Sequence, residues 1–176
     1  MRNVGFNEAT GWFGGWVCRE GNLHDHAFLY VNGAAVWYEL VDVNLSASIM
    51  RRLWEEMQRQ GFHEFSLGLP GNIWQIPESD LAKPLHGKPM GTFENGGATH
   101  AQAHYFVNAL CRVGMTNEAD RVLQGLSSSL ASGTAFGGCG TGMEWRSWDG
   151  LPTGYEGILT DQFGVLALIV DRYGSP

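Results

Sequence analysis

The order of apolar and polar residues divides the chain into five segments in which apolar side chains recur at helical spacing. These segments predict helices at about 25–41, 45–60, 98–113, 116–132 and 159–173. The second and fourth carry one apolar stripe opposite a charged face, which is typical of outer helices, whereas the first, third and fifth are of the apolar type that is buried. The pattern therefore predicts alternating inner and outer helices.

The lengths of the links agree with this alternation. The links after the first and third helices are two or three residues long, which predicts antiparallel hairpins. The link at 62–97 is long and contains four prolines, so it cannot be helical throughout. Together these features predict a single all-α domain over residues 1–176, a partial (α/α)6 toroid of about five helices. Its long loops are expected to gather on one face and to carry the function.

The overall composition narrows the classes of function. Hydrophobic residues make up 44% of the 176 residues, and the net charge is −7 with no basic run, which argues against nucleic acid as a partner. No segment approaches the ~20 apolar residues of a membrane span, and the N-terminus lacks the apolar core of a signal peptide. We therefore expect a cytoplasmic protein with no membrane partner. The three cysteines include no Cys-x-x-Cys pair and do not predict a disulfide framework.

Seven tryptophans and 25 glycines are many for a chain of this length, and much of the glycine lies between the predicted helices. Aromatic rings on glycine-rich loops either hold those loops in place or present themselves to a ligand, and sugars have flat C–H faces that stack on such rings. Trp145, Trp148 and Tyr155 lie in such loops and are candidate substrate-binding residues. The expected partner is an oligosaccharide or a small carbohydrate, and a packing role for each ring is the alternative.

The segment FENGGATHAQAHYFVNALCRVGMTNEADRVL contains the sequence ENGG-x-THA at 94–101. This sequence is similar to a signature of cellobiose- and chitobiose-type phosphorylases, and most of the chain resembles the C-terminal part of six-hairpin glycosidases. Two further segments, GGWVCREGNLHDHAFLYVNGAAVWYELVD and MEWRSWDGLPTGYEGILTDQFGVLAL, resemble the family's glycine-rich loops before inner helices. The resemblance implies an α/α toroid and descent from a glycoside hydrolase or phosphorylase.

The chain also departs from this family. A full toroid of the family has twelve helices, and its general acid usually lies upstream of the matched region. The chain supplies only five predicted helices. The resemblance therefore implies a fragment, a shortened gene product, or one half of a homodimer that completes the ring.

Cleavage of a glycosidic bond normally requires two carboxyl groups. Glu94 and Glu156 each precede a predicted inner helix, where the helix dipole favours negative charge, and they are expected to face one substrate. Asp149 is the third catalytic candidate. The alternative for each carboxylate is to cap a helix or to pair with an arginine.

Four more residues are candidate substrate-binding residues: Asp25, His26, Asn95 and His100. The resemblance places His100 where phosphorylases help to hold phosphate, with a hydrogen bond to a neighbouring loop as the alternative. No cofactor and no metal are expected. The His-Asp-His sequence at 24–26 lacks a helical metal spacing, and the His100–His104 pair lacks a further metal-ligating motif.

These features predict a carbohydrate-active protein that derives from a glycoside hydrolase and acts on an oligosaccharide by paired-carboxylate acid/base catalysis. The alternatives are a sugar-binding remnant without catalysis and an inert structural or dimerisation unit.

Overall fold

The computed structural model describes residues 5–132, 143–156 and 160–174, with the side chains at 84, 143, 156 and 160–162 outside the description. These ranges contain five α-helices: α1 Leu29–Trp37, α2 Val43–Arg59, α3 Ala103–Arg112, α4 Thr116–Ala131 and α5 Thr160–Tyr173. They also contain eight short strands: β1 Phe6–Asn7, β2 Trp12–Phe13, β3 Trp16–Val17, β4 Leu23–His24, β5 Leu69–Pro70, β6 Ala98–Thr99, β7 Met143–Arg146 and β8 Pro152–Glu156.

The strands of the described part form three antiparallel sheets, β1–β2, β3–β4 and the four-stranded β5–β6–β7–β8. The fold is therefore mixed α/β, and the prediction of an all-α partial toroid is wrong. Strands of two to five residues are too short to show the alternating pattern by which a strand is recognised. Within the four-stranded sheet, the pairs β5–β6 and β6–β7 also join segments that are distant in sequence, such as Ala98 and Arg146, so no local pattern predicts this sheet.

Two inner helices begin later than the apolar pattern predicts. The first starts at Leu29 because Ala27, just before it, has a positive φ of 54° and donates its backbone N–H to the Asp25 carboxylate. The third starts at Ala103 because Ala98 and Thr99 belong to β6. In both cases the apolar residues before the helix are buried, but they are buried in extended or turn conformation.

The second and fourth helices have the amphipathic character that their patterns predict. Helix α2 buries one stripe that includes Ile49, Leu53 and Met57, and the Asp42 side chain caps its first turn by accepting from two backbone N–H groups. Helix α4 starts at Thr116, its N-cap position is Met115, and it buries a stripe that includes Val122 and Leu126. The predicted amphipathic character is therefore confirmed for both helices.

Close contact between α1 and α3 forms the centre of the core. A Cβ atom on Gly33 would lie 2.8 Å from the backbone nitrogen of Phe106, so only glycine allows the two helices to approach this closely. Phe106 and Leu110 of α3 and Leu29 of α1 are fully buried at this contact. The core therefore lies at the meeting of two predicted inner helices.

The last helix is less buried than its apolar sequence predicts. Val165 and Leu168 are buried, but the other apolar side chains leave a stripe exposed, namely Phe163 at 70%, Leu166 at 48%, Val170 at 62% and Tyr173 at 59%. The prediction that this helix is of the buried type is therefore wrong. None of the helices in the described ranges combines the length and the apolar character needed to cross a bilayer.

Candidate functional site

A cleft of about 340 Å³ opens beside the start of α1 and the sheet β5–β8. Its lining comes from β3, the start of α1, the loop at 71–85, the turn before β6, the residue before α3, and β7. Glu94 and Trp145, two of the residues predicted from the sequence, line this cleft. Trp16, Phe28, Tyr30, Asp80 and Gln102 also line it and were not predicted.

Backbone pairing holds the Glu94 loop and Trp145 at the same cleft. Strand β6 pairs with β5 on one side, where Leu69 faces Thr99, and with β7 on the other, where Ala98 faces Arg146. The sheet therefore joins the ENGG segment to the tryptophan-rich segment that follows α4.

A tight turn presents Glu94 to solvent. Thr92 and Asn95 bridge across the turn, and Phe93 at its corner has a positive φ of 46°. A Cβ atom on Gly97 would lie 2.4 Å from the carbonyl oxygen of Phe93, so the close return of the chain requires glycine there. Glu94 is exposed at the tip of this strained turn, an arrangement that is often associated with functional sites.

Aromatic rings form much of the wall. Trp16 is 38% exposed, and its ring contacts that of Phe28 at a centroid distance of 6.1 Å. Phe28 in turn meets Tyr30 edge-on at 5.7 Å. Burial raises the pKa of Tyr30 above its usual value, with a further contribution from the negative charge of Glu94. The cleft therefore has an aromatic wall, and an exposed carboxylate lies near that wall.

Two polar groups of the wall lack hydrogen-bond partners in the described part of the chain. They are the indole Nε1 of Trp145 and the amide Oε1 of Gln102, and both atoms are buried. Gly71 lies against both side chains, since its Cβ position is 3.5 Å from the Trp145 ring and 3.7 Å from Gln102 Oε1. Buried polar atoms normally have partners, so a ligand or water that reached these atoms would be stabilised by them.

A second polar cluster is formed by His24, His26 and Asp80. The Oδ2 atom of Asp80 lies 2.6 Å from His24 Nδ1 and 3.0 Å from His26 Nε2. The hydrogen bond with Asp80 raises the pKa of His24, and the Cys18 thiol beside the ring raises it further. The same contact with His24 lowers the pKa of Asp80. The three side chains therefore form one coupled unit at the edge of the cleft.

Pairing between two loops explains how Asp80 reaches the histidines. Trp74 donates its backbone N–H to the His26 carbonyl, and Ile73 donates to the Ala27 carbonyl, each at 3.2 Å. The chain then turns at Pro77, whose carbonyl accepts from the Asp80 N–H at 2.9 Å. The sequence placed His26 among the candidates, but Asp80 lies 54 residues further along and no motif links the two.

Two of the predicted substrate-binding residues hold loops together. The Asp25 carboxylate accepts from the side chains of Asn7, Thr10 and Trp12 and from the Ala27 N–H. The fully buried Asn95 accepts from the Ile76 N–H at 2.9 Å and donates to the Lys88 carbonyl at 2.7 Å.

Trp148 and Asp149 have similar local roles. Trp148 donates its indole N–H to the Gly96 carbonyl at 2.6 Å and packs on Phe62. Asp149 accepts from the Ser147 hydroxyl within the turn that joins β7 and β8, and this contact lowers the pKa of Asp149. The packing alternative therefore describes Trp148, whereas Asp149 stabilises a turn between two strands and not the helix end or arginine pair that was the alternative for it.

His100 is buried away from the cleft lining. Its Nε2 atom lies 2.9 Å from the Ser129 hydroxyl, which itself donates to the Leu126 carbonyl. Burial lowers the pKa of His100 to about 4, with a smaller contribution from the positive charge of Arg146. A buried, neutral imidazole is poorly suited to the phosphate contact that the resemblance implies.

Tyr155 lies on a second cleft, of about 330 Å³, which also includes Lys88 and Phe93. Leu85 lines both clefts, so the two adjoin. The side chain of Glu156 lies outside the described residues, and its predicted pairing with Glu94 remains a prediction.

No protein family, curated protein or solved structure was found to match the chain.

Proposed function

We propose that the cleft binds carbohydrate, with Trp16 as the stacking surface and Glu94 as the polar contact. The proposal is carried by one observation, the half-exposed Trp16 ring on the wall of a cleft that also contains an exposed carboxylate. A sugar has apolar C–H faces and polar hydroxyl groups, and this wall offers a partner for each kind of surface. The adjoining cleft with Tyr155 and Lys88 provides room for further sugar units.

The cleft volume is consistent with a small-molecule site. About 340 Å³ lies at the low end of the range of roughly 300–1,000 Å³ that is typical of ligand pockets. Gln102 and Trp145 line this cleft, and Gln102 Oε1 and Trp145 Nε1 are an acceptor and a donor without partners in the described part of the chain. Both atoms are buried, so a ligand reaches them only after a side-chain movement. Hydroxyl groups both donate and accept, so a sugar hydroxyl can satisfy either atom.

Glycoside hydrolysis is a second candidate function, favoured by the exposure of Glu94 at the cleft. The similarity of the ENGG-x-THA sequence to a phosphorylase signature supports it. Such chemistry requires a second carboxyl group. Glu156 remains the predicted partner, and Asp80 is a further carboxylate on the lining, although both histidines already contact it.

Isothermal titration against a panel of gluco-, manno-, galacto- and chito-oligosaccharides tests the binding proposal. We expect at least one sugar to bind, and Trp16→Ala to weaken that binding about tenfold, which corresponds to about 1.4 kcal/mol. Tyr38→Ala is the matched control, because Tyr38 is a 58% exposed ring at the other end of α1. Absence of binding to every sugar, or an equal loss in the control, would contradict the proposal.

Release of reducing sugar from the ligand that binds tests hydrolysis. Glu94→Gln should abolish turnover and retain binding within a few fold, since the amide keeps the size of the side chain. Glu55→Gln on the exposed face of α2 is the control and should retain turnover. If the wild-type chain binds sugar without turnover, the hydrolase candidate is excluded and the binding function stands.

A further inference from the structure

The His24, His26 and Asp80 side chains have the composition and convergence of a metal-binding site. One ligand atom from each lies within 4.8 Å of the other two. Both imidazoles point a nitrogen at the same carboxylate oxygen, at 2.6 and 3.0 Å. Because Asp80 also lines the cleft, this cluster borders an open space rather than being sealed in the core.

The surrounding contacts hold the two rings in position. Trp16 stacks on His24 with a centroid distance of 4.9 Å and an angle of 7° between the planes. Phe28 meets the His26 ring edge-on at 5.9 Å, and His26 is only 7% exposed. The Ser79 hydroxyl donates to the other oxygen of Asp80 at 3.3 Å. Support of this kind orients ligands in metal sites and makes their geometry reproducible.

Two of the three distances between ligand atoms are close to those that an ion requires, and the third, between the two imidazole nitrogens, is at most 4.8 Å. Ligand atoms around a tetrahedral ion with bonds of about 2.0–2.2 Å lie about 3.3–3.5 Å apart. The contact from His26 to Asp80 is 3.0 Å and that from His24 is 2.6 Å, so each has to open by less than about 1 Å. Residues 77–79 before Asp80 are exposed, which leaves this loop room to move. Binding would displace the protons that the imidazoles now share with the carboxylate.

The ligand types select the class of ion. Two imidazole nitrogens and one carboxylate oxygen suit Zn²⁺ and neighbouring divalent transition metals, whereas Ca²⁺ and Mg²⁺ prefer oxygen ligands throughout. Three protein ligands leave at least one coordination position for water or a ligand hydroxyl, as in metal sites that act on substrates. Because Asp80 is both a ligand and part of the cleft lining, the ion would lie at the edge of the cleft.

We propose that His24, His26 and Asp80 bind a divalent transition-metal ion, with Zn²⁺ as the representative ion, at the edge of the cleft. The site rests on its own ligands and not on the proposed carbohydrate function, although Trp16 also stacks on His24. The sequence alone predicted no metal, since the two histidines need the distant Asp80 to complete the set. A bound ion would give the cleft a Lewis acid beside the aromatic wall.

Titration calorimetry with ZnCl₂ on the tag-free, chelator-treated chain is the direct test. We expect one equivalent of Zn²⁺ to bind, and Co²⁺ to give the visible absorption of a nitrogen- and oxygen-ligated ion. Loss of a single second-shell partner typically costs about 10–100-fold in metal affinity, so loss of a ligand in Asp80→Asn or His24→Asn should weaken Zn²⁺ binding at least about 100-fold. Asp80→Asn keeps the size of the side chain, and circular dichroism establishes that it is folded.

His63→Asn is the matched control, because His63 is an exposed imidazole that contacts Gln58 and lies outside the cluster. This variant should bind Zn²⁺ like the wild type. A folded wild-type chain that binds neither Zn²⁺ nor Co²⁺ would overturn the proposal and leave the cluster as a hydrogen-bonded unit. Zn²⁺ binding that survives both ligand substitutions would overturn it as well, because the ion would then lie elsewhere. If no sugar binds in the separate titration, the interpretation of the Zn²⁺ titration stays the same.

Discussion

Burial of His100 makes the stability of the fold depend on pH in a specific window. The imidazole is 5% exposed, and its Nε2 donates to the Ser129 oxygen because the Ser129 hydrogen is directed to the Leu126 carbonyl. Burial, rather than this hydrogen bond, favours the neutral ring. Burial holds its pKa at about 4, against an ordinary value of 6.5. Between these values the unfolded chain binds a proton that the folded chain does not, so the free energy of unfolding rises with pH.

The sign and size of the effect follow from these two values. The contribution of His100 is fully present above pH 6.5 and is lost as the pH falls towards 4. A difference of about 2.5 in pKa, at about 1.4 kcal/mol for each pH unit, gives a total loss of about 3–4 kcal/mol across the window. That is a large part of the stability of an ordinary domain, which is roughly 5–15 kcal/mol.

Urea unfolding followed by tryptophan fluorescence, at several pH values from 4.5 to 7.5, measures this dependence. His100→Gln retains an N–H donor for Ser129 and has no titratable group, so the slope of its unfolding free energy against pH should be shallower than that of the wild type. The difference should reach up to about 1.4 kcal/mol per pH unit within the window. His63→Gln controls for the loss of an exposed imidazole. Parallel curves for the wild type and His100→Gln would refute the reasoning.

Two further predictions concern the helices. Leu168→Ala should lower the free energy of unfolding by about 2–5 kcal/mol, because Leu168 is only 3% exposed. Leu166→Ala on the same helix should lower it by well under half of that, because Leu166 is 48% exposed. Urea titration compares the two variants, and equal losses would show that the exposed stripe of α5 is covered. Asp42→Ala should lower the free energy of unfolding by about 1 kcal/mol because it removes the N-cap of α2, and Asp42→Asn should lower it much less. The thermal unfolding midpoints of the two variants measure this difference, and equal midpoints would contradict the capping role.

The parts of the fold that local sequence specifies were predicted closely. Helix α2 is observed at Val43–Arg59 against a prediction of 45–60, and α4 at Thr116–Ala131 against 116–132. Their hydrogen bonds join residues four apart, and their single apolar stripes match the face that packs on the core. The inner helices were predicted with less accuracy, because an apolar run is equally compatible with a buried helix, a buried strand or a buried turn.

The residues of the candidate site were likewise predicted only in part from the sequence. Glu94 and Trp145 were found from the sequence because they lie in glycine-rich segments before or after helices, and the structure places both on one cleft. Asp25, Asn95 and Trp148 lie in the same kinds of segment, yet their polar atoms are occupied by loop contacts. A residue type in a loop does not reveal which of its atoms are already paired, since the partners come from elsewhere in the chain.

By itself, the sequence determined where the amphipathic helices lie and which loops carry carboxylates and aromatic rings. The tertiary structure decided that these loops pair into a sheet and that Asp80 meets His24 and His26. The physical reason is the range of the interactions. Helical periodicity depends on residues three or four positions apart. The contact from Asp80 to His26 spans 54 residues and forms only when backbone hydrogen bonds join the two loops.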